Sequence, residues 1–156
     1  MRVKSLCLSM LLTAGLATWA QQRPTLGPQT PSLHGPRTST TTDARKLARV
    51  QAIFVERMDN KFSEKLAEGL SKMGRFRVVA SRKEADAVLR GTCFDSRRLK
   101  NVHSEVYLND QSGGASIWQD SVRRPFNPPP LEAVVSETAQ LILGHLKESV
   151  QEAGLR

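Results

Sequence analysis

A reaction in this chain would draw on Cys93, His103 and His145, the cysteine and histidines of its foldable part. Cys93 with His103 is the one pairing that resembles a nucleophile and its base. The surroundings of Cys93 argue against it. Leu89, Gly91 and Cys93 alternate on one strand face, which buries the thiol, and no neighbouring group stabilises a thiolate. His103 stands beside Ser104 and Glu105, and adjacent residues on a strand point to opposite faces, so no third partner can be assigned. His145 lies on a late helix beside Lys147 and Glu148 and is expected in solvent. No two His or Cys residues stand at ligand spacing, so no metal site is expected. Gly113-Gly114 has no helix after it and reads as a hairpin tip, not a phosphate loop. No catalytic residue and no cofactor is expected, and the chain reads as a non-enzyme.

Binding chemistry is better represented. Arg97-Arg98-Leu99-Lys100 follows one predicted strand and Arg123-Arg124 ends another two strands later. In a meander those two strands run the same way, about 10 Å apart, so both clusters reach one end of the sheet. Arg97, Arg98, Lys100, Arg123 and Arg124 are therefore the candidate partner-binding residues, with Asp95 and Asp120 partly offsetting them. Such a rim suits an acidic protein, anionic lipid head groups or a polyanion. It also suits a solvated loop in a basic protein. Nucleic acid fits poorly: one Tyr and two Trp offer few stacking platforms, and no recognition motif is present.

The elements that must hold these residues are legible as periods. Val50 to Glu56 reads as a first strand buried on both faces. Asp59 and Asn60 are the expected caps of a helix whose stripe is Phe62, Leu66, Leu70 and Met73, with Gly74 as its left-handed stop. Arg75 to Ala80 and Ala87 to Phe94 follow as strands. Val102 to Asn109 and Ala115 to Arg123 form a hairpin around Asp110 to Gly114. After Pro128 to Pro130, a long amphipathic helix runs from Leu131 to a glycine exit at Gly154. The order β-α-β-β-β-β-α implies an α+β fold, a two-layer sandwich with a mixed, largely antiparallel sheet and helices on one face.

Length and charge bound the rest. The chain has 156 residues, enough for one ordinary domain, and a formal charge of +8 from 23 basic and 15 acidic residues. Arg2 and Lys4 precede an apolar run from Leu6 to Ala17, of about 12 residues, too short to span a bilayer. With Thr18-Trp19-Ala20 ahead of Gln21, residues 1–20 read as a signal peptide. Cys7 stands near the start of the apolar run, which argues against lipidation. Residues 21–44 are rich in Pro, Thr and Ser and read as a disordered linker. The domain then occupies 45–156, with 19 basic and 14 acidic residues, or +5. Its single cysteine, Cys93, can form no internal disulfide.

The chain resembles a group of envelope domains: the curli secretion channel subunit, the TolB amino-terminal domain and the lipoprotein activators of penicillin-binding proteins. The likeness rests on Ala52-Ile53-Phe54-Val55, the helix leucines Leu66 and Leu70, and Gly74-Arg75-Phe76-Arg77-Val78-Val79. It is most specific in Glu84-Ala85-Asp86-Ala87-Val88-Leu89-Arg90-Gly91, an Ala-Asp pair leading into a strand that ends at Gly. Glu105-Val106-Tyr107-Leu108, Gly113 and Trp118 complete it, over roughly residues 48–152. These motifs determine a fold and carry no chemistry. The chain lacks a lipobox cysteine and the added strands of a channel. The resemblance implies an exported, periplasmic or envelope-associated binding or scaffold domain that meets an envelope protein or assembly complex. The alternative expectation is a basic protein for anionic lipid or polyanion surfaces.

Overall fold

The computed structural model describes residues 38–112, 114–126 and 130–155. The expected signal peptide, the linker as far as Arg37, and Gly113 lie outside the described residues. In chain order the elements are β1 (Thr40–Thr41), α1 (Ala44–Arg49), β2 (Ala52–Val55), a 3-10 turn (Asp59–Lys61), α2 (Phe62–Lys72) and β3 (Arg77–Val79). A second 3-10 turn (Arg82–Glu84), β4 (Ala87–Ser96), β5 (Asn101–Asp110), β6 (Ser116–Pro125) and α3 (Leu131–Gly154) complete the chain. The six strands form one sheet in the order β1-β6-β5-β4-β2-β3. β2 pairs in parallel with both β3 and β4, while β4, β5 and β6 form an antiparallel meander. This is the α+β sandwich expected from the sequence.

Each layer follows from its pattern. Phe62, Leu66 and Leu70 form the buried stripe of α2, and Val134, Val135, Ile142 and Leu146 that of α3. They close over Ile53, Leu89, Cys93, Val106, Leu108, Trp118 and Val122 of the sheet in one core. α2 and α3 approach closely at Gly69, where a Cβ would meet the Leu143 side chain. Gly74 has φ +67 and ends α2 in the left-handed region, as its residue type implied. Gly91 is needed for a different reason: a Cβ there would collide with the Glu105 carbonyl oxygen of the neighbouring strand. The strand does not end at Gly91 but runs on to Ser96.

Several local expectations are corrected. The described part of the segment read as linker is structured. Thr40 and Thr41 pair with Gln119 and Trp118, and Asp43 caps α1 by accepting from Lys46 N at 2.9 Å. α1 was not anticipated, because only Leu47 of its six residues is buried and so short a stretch shows no period. Asp59 and Asn60 do not cap α2. Asn60 is left-handed, and its Nδ2 donates to the Cys93 carbonyl at 2.8 Å. Val50 is the C-cap of α1 and not part of β2. Gly154 closes α3 as a helical residue, with Leu155 still right-handed after it.

The Ala-Asp step before β4 has a clear physical role. Asp86 Oδ2 accepts from the backbone N–H groups of Gln51 (3.0 Å) and Ala52 (2.8 Å), and Asp86 N donates to the Ala52 carbonyl. One carboxylate thereby fixes β4 against the start of β2. The two N–H donors hold its pKa below the usual carboxylate value.

Candidate functional site

Three groups of polar side chains could carry function: a buried seam under α3, the open face of the meander, and the basic end of the sheet. The seam joins α3 to β6. Trp118 and Asp120 share one face of β6, and His145 and Ser149 lie one turn apart on α3. Trp118 Nε1 donates to Ser149 Oγ at 3.0 Å, and His145 Nδ1 lies 2.7 Å from Asp120 Oδ2. The other Asp120 oxygen accepts from the Thr38 hydroxyl and from Ser121 N at 2.9 Å. His145, expected in solvent, is thus 1% exposed, and Asp120, expected at the rim, is buried. Helical spacing from Ile142 and Ser149 places His145 on the sheet-facing stripe, which outweighs the polarity of its chain neighbours.

Cys93 is buried as expected, and burial raises its pKa above the usual thiol value. It pairs with Ser104 on the helix-covered face, while His103 pairs with Phe94 on the opposite face. The thiol and the imidazole therefore sit on opposite sides of the sheet and cannot act together.

His103 does have partners, on the face that the helices leave open. Its Nε2 lies 3.0 Å from Glu105 Oε1, and the Tyr107 hydroxyl donates to Glu105 Oε2 at 3.1 Å. These two bonds, His103 first, hold Glu105 below the usual carboxylate pKa, and the same carboxylate raises that of Tyr107. The ladder was legible: residues 103, 105 and 107 obey the two-residue period that separates 103 from 104. Half-exposed on the open face of the sheet, with Thr92 and Ser121 in register on either side of Glu105, it organises a polar surface. Among the described residues, no group of three or more His, Cys, Asp or Glu is placed to hold a metal.

The basic clusters meet at one end of the sheet, as their positions in the meander implied. Asn101 pairs with Pro125, Val102 with Arg124 and His103 with Arg123, while Arg97 to Lys100 form the β4–β5 turn just beyond. The five cations do not act as one set. Arg124 lies on the helix side and donates to Glu137 Oε2 of α3 at 2.9 Å. Arg123 lies on the open face beside His103. Arg97, Arg98, Lys100 and Arg123 are exposed and form no ion pair among the described residues. Four free cations therefore define the rim.

No family model matches the chain, and no curated relative matches it. Solved structures do. A PelC dodecamer from Paraburkholderia phytofirmans is 18% identical, with a TM-score of 0.51 over 71% of this chain and 97% of that one. A variant of the same PelC gives 17% identity and a TM-score of 0.52 over 72% and 98%. TolB from Acinetobacter baumannii is similar at 11% identity over 75% of this chain and 32% of its own, with a TM-score of 0.48. The chain has the fold of the PelC subunit.

Proposed function

We propose that this protein is an exported, non-enzymatic scaffold or binding domain that serves cell-envelope assembly through protein–protein contacts. The observation that carries this reading is the fold shared with PelC over nearly the whole of that subunit. The two PelC structures are dodecamers, which supports a second copy of this chain as the first contact to test. The separation of Cys93 from His103 supports a binding role over a nucleophilic one. Residues 1–20 serve as the export signal and 21–37 as the tether in this reading, without a lipid on Cys7.

In-cell cross-linking with mass spectrometry, together with light scattering of the purified chain, tests the proposal. A ring-sized homo-oligomer or a recurrent envelope partner supports it. A strictly monomeric protein with no cross-linked partner, or a product retained in the cytoplasm, overturns it.

A second reading is favoured by one specific observation, the gathering of Arg97, Arg98, Lys100 and Arg123 at one end of the sheet without ion-pair partners among the described residues, with Asp95 their exposed acidic neighbour. In that reading the rim binds an anionic lipid surface or a polyanion. Replacing these four residues with Gln and following binding across ionic strength separates the two. Charge-driven binding collapses with salt, whereas a packed protein interface tolerates it.

A further inference from the structure

The turn between β4 and β5 carries more than charge. Phe94 is 56% exposed and Leu99 69%, two of the three large apolar side chains left open among the described residues. Both lie at the basic end. Leu99 stands between Arg98 and Lys100, and Phe94 lies in one cross-strand row with His103 and Arg123. An exposed leucine alone is ordinary. A leucine and a phenylalanine at the same end of the sheet as four unpaired cations, with Asp95 as the adjoining acidic residue, form an amphiphilic tip.

The turn also has a fixed shape. Leu99 N donates to Ser96 Oγ at 3.2 Å, and the Lys100 carbonyl accepts from Phe126 N at 2.6 Å. Lys100 has φ 47, in the left-handed region where Gly or Asn fits at lower cost. The chain thus keeps a cation at a position that geometry would assign to a smaller residue, next to exposed Leu99.

We propose that this tip docks on an anionic bilayer. Leu99 and Phe94 enter the interface while Arg97, Arg98, Lys100 and Arg123 engage lipid phosphates. The proposal rests on the anionic-surface reading and adds to it the apolar contact and the choice of a bilayer. A soluble polyanion offers no apolar volume for the two side chains. A folded protein would need a pocket matched to a protruding turn, whereas a bilayer deforms around it. Long basic side chains reach head groups while their stems flank an inserted leucine.

The test uses the exported form, residues 21–156, so that the linker is common to every variant and Trp118 is its one native tryptophan. Vesicles of equal parts phosphatidylglycerol and phosphatidylcholine are compared with phosphatidylcholine alone and with soluble polyphosphate. Binding is expected only to the anionic vesicles. The double replacement Phe94→Ser/Leu99→Ser should weaken it about tenfold at unchanged salt dependence. Each cation replaced by Gln should weaken it about fivefold and flatten the salt dependence. Leu99→Trp should gain a blue-shifted emission that brominated lipids quench, while buried Trp118 stays unquenched.

Unchanged vesicle binding by the double serine variant, or an unquenched Leu99→Trp, overturns insertion and leaves the charge reading standing. Polyphosphate binding without vesicle binding does the same. Binding to neither overturns both, and an acidic protein cross-linked through this turn without vesicle binding replaces the bilayer as the occupant. Because the substitutions fall on exposed groups, the urea midpoint should stay that of the parent, and a variant that shifts it is replaced by Leu99→Ala.

Discussion

His145 Nδ1 and Asp120 Oδ2 meet at 2.7 Å in the core, joining a helix and a strand 25 residues apart in sequence. Asp120 also accepts from the Thr38 hydroxyl and from Ser121 N, so one carboxylate ties α3, β6 and the segment before β1 together. Replacing His145 with Leu leaves the buried Asp120 Oδ2 without its partner and should cost about 3 kcal/mol. The double replacement His145→Leu/Asp120→Val should recover a large part of that loss, because both partners of a buried pair then become apolar. Urea denaturation of the single and double variants measures the difference.

Asp86 makes stability depend on pH in a defined direction. Its folded pKa is depressed, so its contribution is complete above the usual carboxylate value and disappears as pH falls through the folded value. Asp86→Asn keeps an acceptor for the N–H groups of Gln51 and Ala52 but removes the charge. It should cost about 1 kcal/mol at neutral pH, and the gap to the parent protein should close under acid conditions. Paired urea titrations from neutral pH downward check both the size and the sign.

Gly91→Ala should destabilise by about 2 kcal/mol or more, since the added methyl collides with the Glu105 backbone carbonyl, which cannot rotate away. Gly69→Ala meets only the end of the Leu143 side chain and should cost less. Thermal unfolding of the two variants side by side provides the comparison.

Cys93 should resist thiol reagents in the native protein. Burial removes both access and thiolate character, and its strand lies under the helix layer. Labelling with an aromatic disulfide should be slow in buffer and accelerate in step with urea unfolding. Rapid native labelling would place the thiol outside the core.

What could be read from the sequence was what repeats over several residues. The α2 stripe through Phe62, Leu66 and Leu70 and the alternation along β5 bury side chains at regular intervals, so periodicity alone located them. Six residues of α1 around Leu47 span under two turns, too few to show a period. The site was legible where topology alone decided it: both basic clusters reach one end because β4 and β6 flank β5. It was not legible where side chains at one position split between faces. Arg123 and Arg124 are neighbours in sequence, yet one stays open and the other finds Glu137. His145 follows the buried residues three and four positions away, which determine which way a helical side chain points, and not the polarity of its chain neighbours.

The sheet order has a consequence for how the protein folds. β4, β5 and β6 are joined in series by short turns, so their pairing closes only small loops. β2 must instead enter between β3 and β4, with a helix on one connection and a 3-10 turn on the other. Small loops close at the lower entropic cost, so the meander should form first and template the parallel half. Amide protection during refolding should accordingly rise at Val106 and Leu108 before it rises at Ile53. The resemblance motif around Asp86 then marks the latch that admits the last strand.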